Sequence, residues 1–215
     1  MSGPEPVVFV VDDEDSPLRA TARLLKAAGY AVRTFSRAED LLEQLDDDCR
    51  GCVVADLQMP GLSGLALQEA LIAAGHLLPV VFLTGHADIP NAVRAMRGGA
   101  EDFIEKISPA DVLLGAVRRA LERNSLARAA RASRDVLLAR LGTLTSRERE
   151  VLLEVVRGRL NKQIAGDFGI HERTVKLHRT AVTTKLGVHS VAELTSLCHE
   201  AGLLDPAART CPKGQ

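Results

Sequence analysis

The chain predicts an α/β fold, a doubly wound five-stranded parallel sheet, followed by a smaller all-α domain. Three observations carry that expectation. Five short apolar runs, rich in β-branched residues, alternate with amphipathic stretches between residues 6 and 123, the pattern of a parallel sheet covered on both faces. Beyond residue 141 such runs cease and the patterning is purely helical. The charge also divides, with 11 Lys and Arg against 18 Asp and Glu in residues 1–120 but 16 against 10 in residues 121–215. An acidic part joined to a basic part points to cation chemistry in one and a polyanionic partner for the other.

Taken in order, Pro6-Val7-Val8-Phe9-Val10-Val11 predicts a strand buried on both faces and ends in Asp12-Asp13-Glu14-Asp15. Ser16 can cap the next helix and Pro17 suits its first turn; Leu18, Leu24 and Leu25 give it an apolar side, and Gly29 stops it. Tyr30 to Phe35 is the second strand, after which Ser36 and Glu39 have the spacing of a capping box. Cys52 to Asp56 is the third strand and Leu65 to Ala74 the third helix. Pro79 to Leu83 is the fourth strand, ending at Thr84-Gly85-His86, and a helix around Asn91 to Arg97 closes at Gly98-Gly99. Glu101 to Lys106 is a short fifth strand, and Ser108-Pro109 opens a helix to about Arg123.

Residues 124–141, rich in Ala, Arg and Leu without Gly or Pro, read as a helical or partly flexible connector. The second domain, residues 142–204, opens on a Thr145/Glu148 capping box before a helix that ends near Gly158. Asn161–Phe168 and Glu172–Leu186 follow, each closed by a glycine, and Ser190 to Glu200 is the last helix. The tail, residues 205–215, carries two prolines and a glycine and reads as disordered.

Composition narrows the function classes. Hydrophobic residues at 46% support real cores, yet no stretch approaches the length of a membrane span and the first residues lack a signal peptide's pattern, so a cytoplasmic protein is expected. Aromatics at 3%, with no Trp, speak against recognition of single strands by base stacking. Cys49-Arg-Gly-Cys52 has the spacing of a redox pair or half a zinc site, but no second pair completes one, and Cys52 begins an apolar strand. A core thiol beside a loop thiol is the simpler expectation.

Functional side chains stand at the carboxyl ends of the predicted strands: Asp12 and Asp13, Asp56, Thr84 and Lys106. In a parallel sheet these ends share one edge, where open α/β folds place their ligands. Alone, Asp56 before Gln58-Met59-Pro60-Gly61 is equally a turn that caps the next helix. Together, several carboxylates in one crevice repel one another, and a hard divalent cation such as Mg²⁺ relieves that cost. A carboxylate can then act as phosphoryl acceptor while Lys106 supplies positive charge and Thr84 a hydroxyl donor.

The motifs Val11-Asp12-Asp13, Asp56-x-x-Met59-Pro60-Gly61, Thr84-Gly85-His86 and Gly99-Ala100-x-Asp102-Phe103-Ile104-x-Lys106 resemble those of response-regulator receiver domains, over residues 5–123. The resemblance implies a flavodoxin-like receiver in which Asp56 takes phosphate from a sensor histidine kinase. It implies Mg²⁺ held by Asp12, Asp13, Asp56 and the backbone carbonyl of Gln58, and switch positions at Thr84 and Phe103. The family usually follows its lysine with a proline in a cis bond, where this chain has Ile107; Phe103 also lacks the hydroxyl of the tyrosine common at its position.

In the second domain, Gly169-Ile170-His171 separates two helices at helix-turn-helix spacing. Leu144-Thr145-x-Arg147-Glu148-Arg149-Glu150-Val151-Leu152, Asn161-Lys162-Gln163-Ile164-Ala165 and Thr174-Val175-Lys176-x-His178 resemble the LuxR-type DNA-binding domain, and the whole chain is similar to FixJ-like regulators. This implies double-stranded DNA as partner, with the helix from Glu172 in the major groove. Lys176, Leu177 and Thr180 are expected at base edges, and Asn161, Lys162, Thr174, Arg179 and Lys185 at phosphates. His171 stands where a Ser or Asp cap is usual.

The leading expectation is a transcription regulator whose phosphorylation at Asp56 alters the face of the fourth helix and fifth strand, and with it homodimerisation and DNA binding. A regulator that binds DNA independently of phosphorylation is the alternative, kept open by Ile107. An aspartyl-phosphate phosphatase is disfavoured, because that chemistry wants a second Asp two residues after the nucleophile and Gln58 stands there.

Overall fold

The computed structural model describes residues 5–85 and 88–203. His86 of the Thr84-Gly85-His86 motif and the tail expected at 205–215 lie outside the described residues. The chain divides into two units, residues 1–129 and 130–215. The predicted fold class is the observed one.

In the first unit, strands β1 (Val7–Val11), β2 (Ala31–Phe35), β3 (Gly51–Ala55), β4 (Val80–Thr84) and β5 (Asp102–Glu105) form one sheet, ordered β2-β1-β3-β4-β5. All neighbouring pairs are parallel. Strand residues alternate between two apolar layers. Phe9, Val11, Val53, Ala55 and Phe82 pack with residues of α2 (Ala38–Gln44), α3 (Gly64–Ala73) and α4 (Ile89–Arg97). Val8, Val10, Cys52, Val54, Val81 and Ile104 pack with Leu18 and Leu25 of α1 (Asp15–Ala27) and with Leu113, Ala116, Val117 and Ala120 of α5 (Ala110–Gly142). Covering on both faces is why these strands are uninterrupted apolar runs rather than alternating ones.

Two helix starts differ from expectation. α1 begins at Asp15 with Glu14 as N-cap, and Ser16 lies inside its first turn. Asp12 turns the chain ahead of it, accepting the Glu14 N–H on Oδ1 at 3.0 Å. The Ser36/Glu39 capping box does not form, because α2 starts after Arg37 with no side-chain cap. Glu39 instead accepts the N–H of Leu62, 23 residues on, at 3.2 Å. A tertiary donor outcompetes the local one. Cys52 is fully buried, Cys49 is half-buried, and neither is bridged.

The stretch expected as a connector is part of α5, whose residues are held on each side of the unit boundary within their own unit. Asn124, 3% exposed, accepts the Gly51 N–H at 3.1 Å and donates to the Leu77 carbonyl at 2.7 Å. Arg128 reaches the Cys49 carbonyl at 3.1 Å and the Asp48 carboxylate at 3.1 Å. Leu137 and Leu141 belong to the core of the second unit.

That second unit contains α6 (Ser146–Val156), α7 (Asn161–Phe168), α8 (Glu172–Leu186) and α9 (Val191–Glu200). The bounds of α7 and α8 are the predicted ones, since Gly169 (φ 63°) and Gly187 (φ 68°) take left-handed conformations that stop each helix. The Thr145/Glu148 capping box is present. Val151, Leu152, Val155, Ile164, Val175, Val182, Leu186 and Leu194 fill the core.

Replacing Asn124 with Leu leaves a buried N–H and a buried carbonyl unpaired, and should lower the stability of the first unit by about 1–3 kcal/mol. Urea unfolding of the full chain measures this; an unchanged midpoint would show that the two bonds contribute nothing.

Candidate functional site

Strand register assembles the first site. Val11 pairs with Ala55 across β1 and β3, so the next residues, Asp12 and Asp56, leave the sheet side by side, with the Asp56 N–H bonded to the Val11 carbonyl at 2.8 Å. Thr84 ends β4 opposite Glu105, and the Lys106 N–H bonds to the Thr84 carbonyl at 2.8 Å. The expected residues therefore do meet at one edge. Lys106 Nζ lies 2.7 Å from Asp12 Oδ2 and 2.9 Å from Asp56 Oδ2. Asp12, Asp13 and Asp56 each bring a carboxylate oxygen to a common point, within 4.8 Å of one another.

Burial decides the electrostatics here. Asp12 and Asp56 are buried and Asp13 is exposed. Burial lifts the Asp12 carboxyl above its ordinary value, against the pull of Lys106 and the Glu14 N–H, and the charge of Asp56 adds to the rise. Burial also presses on Lys106, but its hydrogen bonds to Asp12 and Asp56 outweigh that and hold its ammonium above its ordinary value. Three carboxylates against one half-buried ammonium form an oxygen-only donor set, which fits a hard divalent cation such as Mg²⁺.

The Lys106–Ile107 peptide bond is trans, since the described residues contain no cis bond. Lys106 reaches Asp56 all the same, and Ile107 points outward at 88% exposure. Thr84 is buried at the strand end. Phe103 is half-buried on β5, its ring centroid 6.3 Å from that of Phe82. Gln58 is exposed, two residues past Asp56.

Gly64 is a site residue that sequence reading missed. It opens α3, its N–H closes the loop onto the Leu57 carbonyl at 3.0 Å, and a Cβ there would collide with the Asp56 carbonyl oxygen and stand 3.0 Å from the Phe82 ring. Its backbone angle lies outside the left-handed region, so no turn signature marks it; only the approach of Asp56 demands glycine.

The second unit presents one continuous face on α8. Arg173, Leu177, Thr180 and Thr184 are exposed and recur at i, i+4, i+7 and i+11, opposite buried Val175, Val182 and Leu186. Leu177, expected at base edges, is 64% exposed. Lys176 also faces out, beside Glu172 at 3.8 Å. Arg173 and Thr184 share this face although no role was assigned to them from sequence. Of the residues expected at phosphates, Lys162 is exposed and Thr174 half-buried. Arg179 donates to Asn161 Oδ1 at 2.7 Å, which joins α8 to the start of α7. Lys185 is engaged within the unit, 2.7 Å from Glu148 Oε2 and 3.2 Å from the Thr143 carbonyl. His171 is the N-cap of α8 and makes no side-chain cap bond, a forgone stabilisation of roughly 0.5–2 kcal/mol.

Comparison with known proteins assigns a family to each unit. Residues 8–118 match the response regulator receiver domain family, and residues 142–198 match the luxR family of bacterial regulatory proteins. Nodulation protein W of Bradyrhizobium diazoefficiens is 39% identical over 92% of this chain and 87% of its own length. The transcriptional regulatory protein FixJ of Rhizobium meliloti is 40% identical over 91% of this chain and 96% of its own. Among solved structures, the response regulator StyR matches with a TM-score of 0.81 and 44% identity over 92% of this chain and all of that one. Full-length FixJ from B. japonicum matches at 0.55 and 35% identity, over 94% and 100%. The chain belongs to the response regulators of two-component systems, within the group that joins a receiver domain to a LuxR-type DNA-binding domain. No helix among the described residues is long and apolar enough to cross a membrane.

Two outcomes are expected. Gly64→Ala should cost the first unit about 1–3 kcal/mol, since backbone and an aromatic ring must move; urea unfolding reads it, and a neutral result would mean that the strand end yields freely. In the second unit, the bond from Lys185 and the Thr145 N–H hold the Glu148 carboxyl below its ordinary value of 4.5. A depressed folded value gives stability that is present above pH 4.5 and lost as pH falls below it. Glu148→Gln should therefore flatten the acid limb of the unit's stability profile and lower its stability at neutral pH. An acid limb unchanged in the variant would assign that loss to other groups.

Proposed function

We propose that this response regulator is a phosphorylation-dependent transcription regulator whose phosphoacceptor is Asp56. The observation that carries the reading is Lys106 Nζ between Asp12 and Asp56, at 2.7 and 2.9 Å, on the carboxyl edge of the sheet. An Asp56 carboxylate oxygen attacks the phosphorus of a phosphohistidine on the sensor kinase. The P–O bond forms as the P–N bond breaks, and the nitrogen keeps the electron pair and takes a proton from solvent. Lys106 follows the new negative charge from the carboxylate to the phosphoryl oxygens, and the Thr84 hydroxyl donates to another. Asp12, Asp13, Asp56 and the Gln58 carbonyl would hold Mg²⁺, which supplies charge neutralisation at the transferring oxygens.

Asp56 is followed two residues later by Gln58 rather than a second carboxylate, so no acid/base group aids release and the phosphate serves as a signal. The reach of Lys106 across a trans bond favours this reading over a regulator indifferent to phosphate.

The output is binding of double-stranded DNA. Lys176, Leu177 and Thr180 read base edges in the major groove, Leu177 by apolar contact of the kind that suits a thymine methyl. Asn161, Lys162, Thr174, Arg179 and Lys185 position the helix on phosphates; Lys185 does so with the one N–H left beyond its bonds to Glu148 and Thr143. Phosphorylation favours a homodimer that spans paired half-sites. Ile89, Val93 and Met96 are exposed at i, i+4 and i+7 on α4 and support that face as the contact.

The test uses acetyl phosphate with Mg²⁺ on the full chain and on Asp56→Asn. Wild type is expected to gain one phosphoryl group by mass, shift toward dimer, and bind promoter DNA more tightly, while the variant does none of these. Equal tightening in the variant would sink the phosphate-dependent reading.

A further inference from the structure

Glu39 lies outside the phosphoacceptor site but touches the loop that forms one wall of it. Residues 56–63 join β3 to α3 and carry the Gln58 carbonyl. At its far end the loop is closed by the Gly64 N–H on the Leu57 carbonyl at 3.0 Å. Across its apex, the polar tie from outside the loop among the described residues is Glu39, whose Oε1 accepts the Leu62 N–H at 3.2 Å. The adjoining residue, Gly61, lies against this carboxylate. It sits at φ +78°, and a Cβ there would stand 2.6 Å from Glu39 Oε1. Glu39 Oε2 is buried and without a hydrogen bond, 3.6 Å from Arg37 Nε. Its own backbone N–H, Arg37 and the Leu62 N–H together hold the carboxyl below its ordinary value, so it is charged and able to accept from the loop at neutral pH.

We propose that Glu39 is a positioning residue for phosphoryl transfer, which fixes the Asp56–Ser63 loop from α2 and thereby presets the Gln58 carbonyl for the divalent cation. The inference rests on the reading of Asp56 and Mg²⁺ given above. Reach, rather than charge, is what matters: the carboxylate must arrive at Leu62. A hydrogen bond that orients a ligand-bearing loop acts on metal affinity more than on maximal rate.

Glu39→Ala, Glu39→Asp and Glu39→Gln separate these properties. Asp keeps the charge but is one methylene too short for Leu62, whereas Gln keeps the length and an acceptor oxygen. Mg²⁺ binding is titrated by calorimetry, and phosphorylation by acetyl phosphate is followed against Mg²⁺ concentration. For the Ala and Asp variants, the Mg²⁺ needed for half-maximal binding and rate should rise about three- to tenfold, below the usual loss for a direct partner of a metal ligand. The maximal rate should recover at saturating Mg²⁺, and the Gln variant should stay within about twofold of wild type. Hydrogen exchange at Leu62 should quicken in Ala and Asp but not in Gln. Wild-type Mg²⁺ dependence in Ala and Asp, or equal impairment in all three, overturns the inference alone. Failure of the wild-type chain to take phosphate at Asp56 overturns the reading of the site, and this inference with it.

Discussion

Like charges gathered at one edge of a parallel sheet are the constraint to which the first unit answers. Asp12 and Asp56 are carried to adjacent positions by the pairing of β1 with β3, and both are buried. Such a pair is unfavourable unless compensated, and Lys106, just past the end of β5, supplies the compensation by bonding both carboxylates. Much of the surrounding structure serves this arrangement. The Glu14 N–H satisfies Asp12 from the other side, and Gly64 leaves room for the Asp56 backbone. The cost remains visible in Asp12, whose carboxyl burial raises. One ammonium thus bridges both buried carboxylates.

Buried polar side chains perform a second task, the fixing of helices. Asn124 and Arg128 tie α5 to the start of β3, to the loop before β3 and to the loop before β4 within the first unit. Glu148 has a double role in the second: it completes the capping box of α6 and holds Lys185 of α8. Ion pairs on the exposed surface, such as Arg19 with Asp15, add little by comparison, since solvent screens them and their side chains lose entropy. Arg179 and Lys185 join α8 to α7 and α6, while Arg173, Lys176, Leu177, Thr180 and Thr184 are exposed on its outer side.

Legibility in the sequence followed the range of the interactions. Strand identities, the ends of α7 and α8 and the box at Thr145 were readable because apolar runs, left-handed glycines and i to i+3 capping are local. The convergence of Asp12, Asp56, Thr84 and Lys106 was readable because parallel strands have one carboxyl edge. The caps expected at Ser16 and in the Ser36/Glu39 box failed for a common reason. In each place a competing arrangement involved a carboxylate, Asp12 on the Glu14 N–H and Glu39 on the Leu62 N–H, and capping patterns take no account of tertiary partners.

The sequence by itself determined the fold class, the order of the two domains and the gathering of Asp12, Asp56, Thr84 and Lys106 at one sheet edge, because periodicity and strand-end chemistry are written residue by residue. Tertiary structure alone decided that Lys106 reaches both carboxylates despite Ile107, since that depends on where β5 lies beside β4 and not on the residue after the lysine. It also decided that Gly64 must lack a side chain, that Asn124 is a buried tie, and that Glu39 holds a distant loop. Each of these is a contact between residues far apart in the chain, and no local pattern encodes it.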